Sequence, residues 1–192
     1  MLEKRREHHQ GLTDLRLNKG ELKMETKITS RFLVPVLLLI LAYEWILATI
    51  NKVLTKNYVE NFHKAMTSSV GDVTLHPYAS LVKNVGLPQY HLLAYIVPLG
   101  ELFVGVVFAI YAILKIQEKA NSGIARIAFV AAIIGAFMNL NYALLGGDTL
   151  FVDPANAFAE SISIDWIMCL VEITFAIYFY SLSNPPMETQ EV

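Results

Sequence analysis

The stretch Pro98-Leu-Gly-Glu-Leu-Phe-Val-Gly105, set inside the apolar run from Tyr90 to Ile116, decides how this chain is read. The run exceeds 20 residues, and at about 1.5 Å per helical residue that crosses the roughly 30 Å hydrocarbon core of a bilayer. A carboxyl, Glu101, stands in its middle, where an ionised side chain costs about 2.5 to 3.5 kcal/mol on insertion scales. Pro98 removes one backbone donor from the same helix, and Gly100 and Gly105 allow a neighbouring helix to come close. The segment therefore reads as a transmembrane helix whose polar group has a use.

Three further segments share this character, at about Phe32 to Val53, Ile124 to Leu145 and Ile162 to Leu182. With 55% hydrophobic and 17% charged residues, the 192-residue chain is more apolar than ordinary soluble domains. The expected fold class is all-α: an integral membrane, antiparallel four-helix bundle. Residues 1–31 are expected to be a basic cytoplasmic tail, 32–182 the four-helix domain and 183–192 a short polar tail. The tail at 1–31 holds eight of the fifteen Lys and Arg residues, against five acids, and no small-x-small cleavage site follows it. The first apolar segment is thus expected to be retained as an anchor.

Basic residues fix the expected orientation. The tail's eight join Lys115, Lys119 and Arg126 between the second and third helices, against four lysines in the first loop. The connection before the last helix has none and carries Asp148, Asp153 and Glu160. Both termini are expected to be cytoplasmic, in a multi-pass protein of the cell membrane. The first loop, about Asn51 to Gln89, is then extracytoplasmic and too long to be structureless, so short helices are expected within it. Tyr58, Val59, Phe62 and Met66 fall at helical spacing and make an apolar stripe between Lys56, Glu60 and Lys64.

A net charge of −2 with the basic residues spread over tails and loops argues against a nucleic-acid partner. The single cysteine, Cys169, excludes an internal disulfide and a Cys-x-x-Cys site. His8-His9 do not share a helix face, and His91 has no matching second ligand, so neither a metal nor a haem is expected.

Polar residues inside the spans mark the candidate site. In the third helix Ala125, Ala128, Ala132, Gly135, Ala136 and Asn139 form a small-residue packing face, with Asn141 on roughly the opposite side. In the fourth, Asp165, Cys169 and Glu172 share one face. Counting from the helix ends places Glu44, Glu101 and Glu172 in one middle layer, with Lys52, Asn141 and Asp165 nearer the outer end. No Lys or Arg falls at the depth of the three carboxyls in this reading. They cannot all be ionised, and at least one is expected to carry a proton. Two readings stand side by side: protonated acids that cement the bundle, or a site for proton-coupled chemistry opening outward with Lys52 at its mouth.

Several stretches resemble the DoxX/DoxD family, which includes the small membrane subunit of thiosulfate:quinone oxidoreductase. They are Arg31, Trp45 and Asn51-Lys52 on the first helix; His76-Pro-Tyr-Ala-Ser-Leu-Val-Lys-Asn-Val-Gly-Leu-Pro88 leading to Gly100-Glu-Leu-Phe-Val-Gly105; and Met138-Asn-Leu-Asn-Tyr-Ala-Leu-Leu-Gly146. The resemblance covers about residues 31–182. It implies a subunit that passes electrons to a membrane quinone together with a second oxidoreductase subunit. Its positions map onto Arg31, Lys52, Glu101, Asn139 and Asn141, and it would give Glu101 proton exchange, Lys52 or Arg31 an anionic group, and Asn139 and Asn141 the quinone carbonyls; Glu172, Asp165 and Glu44 join the candidate site by their depth in the spans. The alternative from another class is a non-enzymatic membrane anchor or assembly factor for a redox complex. A third is a small-solute or proton pathway, for which Pro98 is the one visible helix break.

Overall fold

The structure is a computed structural model that describes residues 32–147 and 163–184, with the side chain of Asp72 excepted. The basic tail with Arg31, the connection with Asp148, Asp153 and Glu160, and the residues after Asn184 lie outside the described residues. Everything described is helix or short connection, with no strand. Four helices have the length and composition to cross a membrane. They are α1 (Phe32–Leu54), the 41-residue helical run His76–Ile116, α5 (Ser122–Leu145) and α6 (Ile164–Ser183). The expected limits of the spans hold to within a few residues, because a long apolar run is a local property that needs no partner to be recognised.

Between the first two spans the chain turns at Asn57, whose φ of 54° lies in the left-handed region that asparagine tolerates. It then forms α2 (Tyr58–Asp72) and α3 (His76–Leu81). A π-helical turn (Val82–Gly86) and a 3-10 turn (Leu87–Gln89) lead straight into α4 (Tyr90–Ile116). On α2, Tyr58, Val59 and Phe62 are half-buried and Met66 is buried, while Glu60 and Lys64, and Lys56 just before the helix, are exposed. The apolar stripe thus lies against the protein. α5 begins at Asn121, whose side chain accepts a hydrogen bond from the Ile124 amide at 3.0 Å and so satisfies one of the free donors of the first turn.

One core joins the four long helices. Leu38, Leu41, Ala42 and Trp45 of α1 meet Val104, Val107, Phe108 and Tyr111 of α4, the alanines of α5, and Phe175, Ala176 and Phe179 of α6. Ala125, Ala128, Ala132, Gly135, Ala136 and Asn139 are all buried, so the small-residue face of α5 is the packing face. Outside the core, large apolar side chains such as Ile40, Leu99, Phe137 and Ile177 are exposed on each span. Apolar surface on both the inside and the outside of a helix is the mark of contact with a lipid bilayer.

Glycines set the closest approaches. A Cβ on Gly105 would meet Ile46 Cγ1 at 2.8 Å, the Ala42 carbonyl oxygen at 3.1 Å and the Ile46 amide at 3.2 Å, so α1 passes backbone to backbone against α4. A Cβ on Gly135 would run into the Glu172 carboxyl, which occupies the space that glycine leaves. The hydroxyl of Thr49 is shared between its own helix, at the Trp45 carbonyl (3.0 Å), and the Pro98 carbonyl of α4 (3.3 Å). With Ala42 and Ile46 beside Gly105 and Thr49 beside Pro98, residue numbers rise along α1 as they fall along α4.

Candidate functional site

Two buried carboxyls organise the interior, each with its own set of partners. Glu101 and Glu172 are both 0% exposed. Neither faces lipid, as the insertion cost requires.

Glu172 is held by two donors from two other helices. Trp45 Nε1 of α1 donates to its Oε1 at 2.7 Å, and Asn139 Nδ2 of α5 donates to its Oε2 at 2.8 Å. Gly135, one turn from Asn139, makes room for the carboxyl. Both oxygens are therefore engaged, and the group ties α1, α5 and α6 together.

Glu101 is built differently. Lys52 Nζ of α1 lies 2.6 Å from its Oε1, and Tyr142 of α5 donates its hydroxyl to the same oxygen at 2.7 Å. The ammonium also lies 5.7 Å from the centre of the Tyr142 ring, within range of a cation–π attraction. Glu101 Oε2 is buried and has no hydrogen-bond partner, and the same holds for the hydroxyl of Tyr58. Buried polar atoms in native proteins are nearly always paired, so two orphans beside one ion pair point to a missing acceptor and donor.

A cavity of about 420 Å³ opens beside this cluster, lined among others by Lys52, Tyr58, Glu60, Ala94, Tyr95 and Pro98. Its size falls in the range of small-molecule sites, roughly 300 to 1,000 Å³. Pro98 carries no N–H, so the Ala94 carbonyl in the cavity wall lacks its usual helical donor. Tyr58, which stands at the start of α2 outside the spans, is pushed up to about 12 by burial and then by the Glu101 carboxylate nearby. Its hydroxyl keeps its proton and remains a donor throughout the physiological range.

The arrangement corrects the expected depths in two places. Lys52 is 26% exposed and reaches inward, so the Glu101 carboxyl does have a cation at its side. The reason is directional: side chains lean toward the N-terminus of their own helix, and the residue numbers of α1 and α4 run in opposite senses. Lys52 leans down α1 while Glu101 leans up α4, and the long lysine stem closes the rest of the gap. Glu44 is exposed and not buried with the other two carboxyls, although it stays within electrostatic reach of Glu101, Glu172 and Asp165. One residue along a helix is a turn of about 100°, so with Trp45 aimed at Glu172 its neighbour Glu44 must look elsewhere.

The remaining expected residues are dispersed. Asn139 is buried on Glu172, whereas Asn141 accepts from the Tyr78 hydroxyl at 2.8 Å and donates to the Phe137 carbonyl at 2.6 Å, facing α3. The two asparagines serve different partners on different sides of α5. Asp165 is half-buried and Cys169 buried on the α6 face that carries Glu172. Arg31 lies outside the described residues. Among the described residues no group of three or more His, Cys, Asp or Glu side chains is placed to hold a metal ion.

Tyr142 and Thr49 were not singled out by sequence, and Tyr58 and Gly135 entered only as members of an apolar stripe and a packing face. The one available signal was the phenol of Tyr142 directly after Asn141 near the C-terminal end of an apolar helix, where tyrosine is common for unrelated reasons. Comparison of the chain with protein-family models, with curated proteins and with solved structures gives no match.

Proposed function

We propose that this protein is the membrane subunit of a quinone-linked oxidoreductase, working with a second subunit that collects electrons from a sulfur compound such as thiosulfate. The four spans would pack as an antiparallel bundle in the cell membrane, with both termini cytoplasmic and α2 and α3 on the outer side. The resemblance to the DoxX/DoxD family supplies the reaction class. The observation that carries the reading is the Lys52–Glu101–Tyr142 cluster beside a cavity of about 420 Å³, with the buried Tyr58 hydroxyl and Glu101 Oε2 unpaired.

The residues fit a quinone head group. Reduction of a quinone to the quinol takes two electrons and two protons, the electrons coming from the donor through the partner subunit. The chain's own side chains handle binding and protons. Lys52 lines the cavity and is 26% exposed, and its ammonium has three hydrogens, of which one is engaged with Glu101. Tyr142 and Lys52 both hold Oε1 and so fix the Glu101 carboxyl, leaving Oε2 to take up or release a proton. Ala94, Tyr95 and Pro98 give the ring an apolar wall.

The test is quinone reduction by thiosulfate in membranes that contain the protein and its partner subunit. Glu101→Gln keeps the shape but removes the exchangeable charge, and the rate is expected to fall by about a hundredfold, the usual contribution of a positioned acid or base. An unchanged rate overturns the assignment of Glu101.

A second reading, a non-enzymatic anchor, is favoured by the Glu172 cluster, where every carboxyl oxygen is engaged and nothing is left for a ligand. It takes over if Glu101→Gln lowers thermal stability in detergent while quinone neither binds nor is reduced.

A further inference from the structure

One carboxyl of the spans is left over once the two buried sets are described. Glu44 stands at the middle of α1, is exposed, and makes no hydrogen bond or ion pair among the described residues. We propose that the outer stripe of α1 around Glu44 is the docking seam for a transmembrane helix of a different chain, one that presents a lysine or arginine at mid-membrane depth. This rests on the proposed function only for the existence of a second subunit. It goes beyond that reading by naming the face that receives the subunit and the pair that forms across it.

The stripe has the spacing of a helix-pair seam. Leu33, Leu37, Ile40, Glu44, Leu47 and Asn51 follow one another at alternate steps of four and three residues, and all six are exposed. That is the repeat with which one helix packs along another at a small left-handed crossing, in water and in membranes alike. A helix that meets only lipid has use for the apolar members of such a line but none for a carboxyl and an amide seven residues apart on it. Across a helix pair the same two residues are useful, because a polar side chain within an apolar seam fixes register and partner.

The charges name the occupant. An ionised carboxyl open to hydrocarbon is costly, and Asp165, Glu101 and Glu172 lie within electrostatic reach of Glu44, so this face of the protein is electrically negative. A cation carried in by another helix answers both conditions. This chain has none to offer. Lys52 is engaged with Glu101, and the other lysines and the arginine of the described residues lie in connections or at the ends of spans. Phe32, which follows the basic tail, is about 18 Å along the helix axis from Glu44. Residues 148–162 contain no Lys or Arg. A second copy packed in parallel on the same seam would set Glu44 against Glu44, and like charges in low dielectric repel.

The test uses the full-length protein in lipid nanodiscs, labelled at its C-terminus, and energy transfer to labelled model helices. Each model helix is a Leu/Ala span flanked by tryptophans, with either Lys or Leu at its centre. The Lys-centred helix is expected to bind about tenfold more tightly than the Leu-centred one, the usual worth of a polar contact between membrane helices. Glu44→Gln is expected to erase that difference, and Glu44→Lys to transfer the preference to a Glu-centred helix. Leu47→Trp, which roughens the seam and leaves the charge in place, is expected to weaken the Lys-centred helix as well, so the test survives if one variant fails to fold. A Lys-centred helix that binds no better than the Leu-centred one, or that binds Glu44→Gln equally well, overturns the inference and leaves Glu44 facing lipid. Energy transfer between two differently labelled copies of this protein, lost in Glu44→Gln, gives the seam to a second copy and also overturns it. Quinone reduction plays no part in these readouts, so the electron-transfer reading and the docking seam stand or fall separately.

Discussion

Replacement of Gly135 by alanine is expected to destabilise the protein by about 2 to 4 kcal/mol. The new Cβ would sit 2.7 Å from Glu172 Cδ and 3.0 Å from Oε2, and would also collide with Oε1. The helices cannot part to absorb this, because Ala128 and Ala132 hold α5 in the core on the same side. The carboxyl must therefore swing away from Trp45 and Asn139. An interhelical hydrogen bond in a membrane protein is worth about 0.6 kcal/mol on average and about 1.7 at most, and two are lost. Overpacking of a filled core adds about 1 to 3 kcal/mol. Reversible unfolding in mixed micelles measures the sum, and a second background isolates its cause. In Glu172→Ala the obstacle is gone, so adding Gly135→Ala there is expected to cost less than about 0.5 kcal/mol, the normal scatter between independent sites. An equal cost in both backgrounds would mean that the clash is not with Glu172. A cost near zero in the unaltered background would mean that the carboxyl is mobile and not the clamp described above.

Two other expectations follow from the Glu101 cluster. Lys52→Met leaves a buried carboxylate without its cation and is expected to cost about 3 kcal/mol, the low end for a broken buried pair because Lys52 is partly exposed; adding Glu101→Gln should recover most of the loss, and strictly additive unfolding energies would show the two groups to be uncoupled. Tyr58 binds its proton more tightly in the folded protein, with its pKa moved from 10.0 to about 12, so its contribution is complete below pH 10 and is lost as pH rises from 10 toward about 12. Tyr58→Phe is expected to flatten that alkaline fall in stability, and unfolding curves of identical shape above pH 10 for both proteins would contradict the burial of the hydroxyl.

Much of this protein was open to reading without coordinates. The four spans, the small-residue face of α5, the interior placement of Glu101 and Glu172 and the shared face of Asp165, Cys169 and Glu172 all follow from apolar run length, helical period and the cost of a charge in hydrocarbon. Each depends only on residues within one helix. The division of the carboxyls into a saturated clamp at Glu172 and an unsatisfied pair at Glu101 could not be obtained that way. It depends on how each helix is rotated about its axis and on which residue of the next helix stands opposite.

Glu44 and Lys52 show where the limit lies. Counting residues from the helix ends gave both a depth but no direction: Trp45 took the buried position, and Glu44 beside it stays exposed while its charge still reaches Glu101, Glu172 and Asp165. For Lys52, counting gave the position of the backbone and missed a side chain long enough to deliver its charge to another layer. Tyr58 and Tyr142 reached the site from α2 and α5, far from Glu101 in sequence, through contacts that no local pattern encodes. The sequence alone determined that four helices would be long and apolar enough to cross a bilayer and that buried acids would have to be accommodated, because hydrophobicity and periodicity are summed along the chain. Only the tertiary structure decided which acid is tied up and which keeps a free oxygen, because hydrogen bonds and ion pairs act over about 3 Å between groups that packing alone brings together.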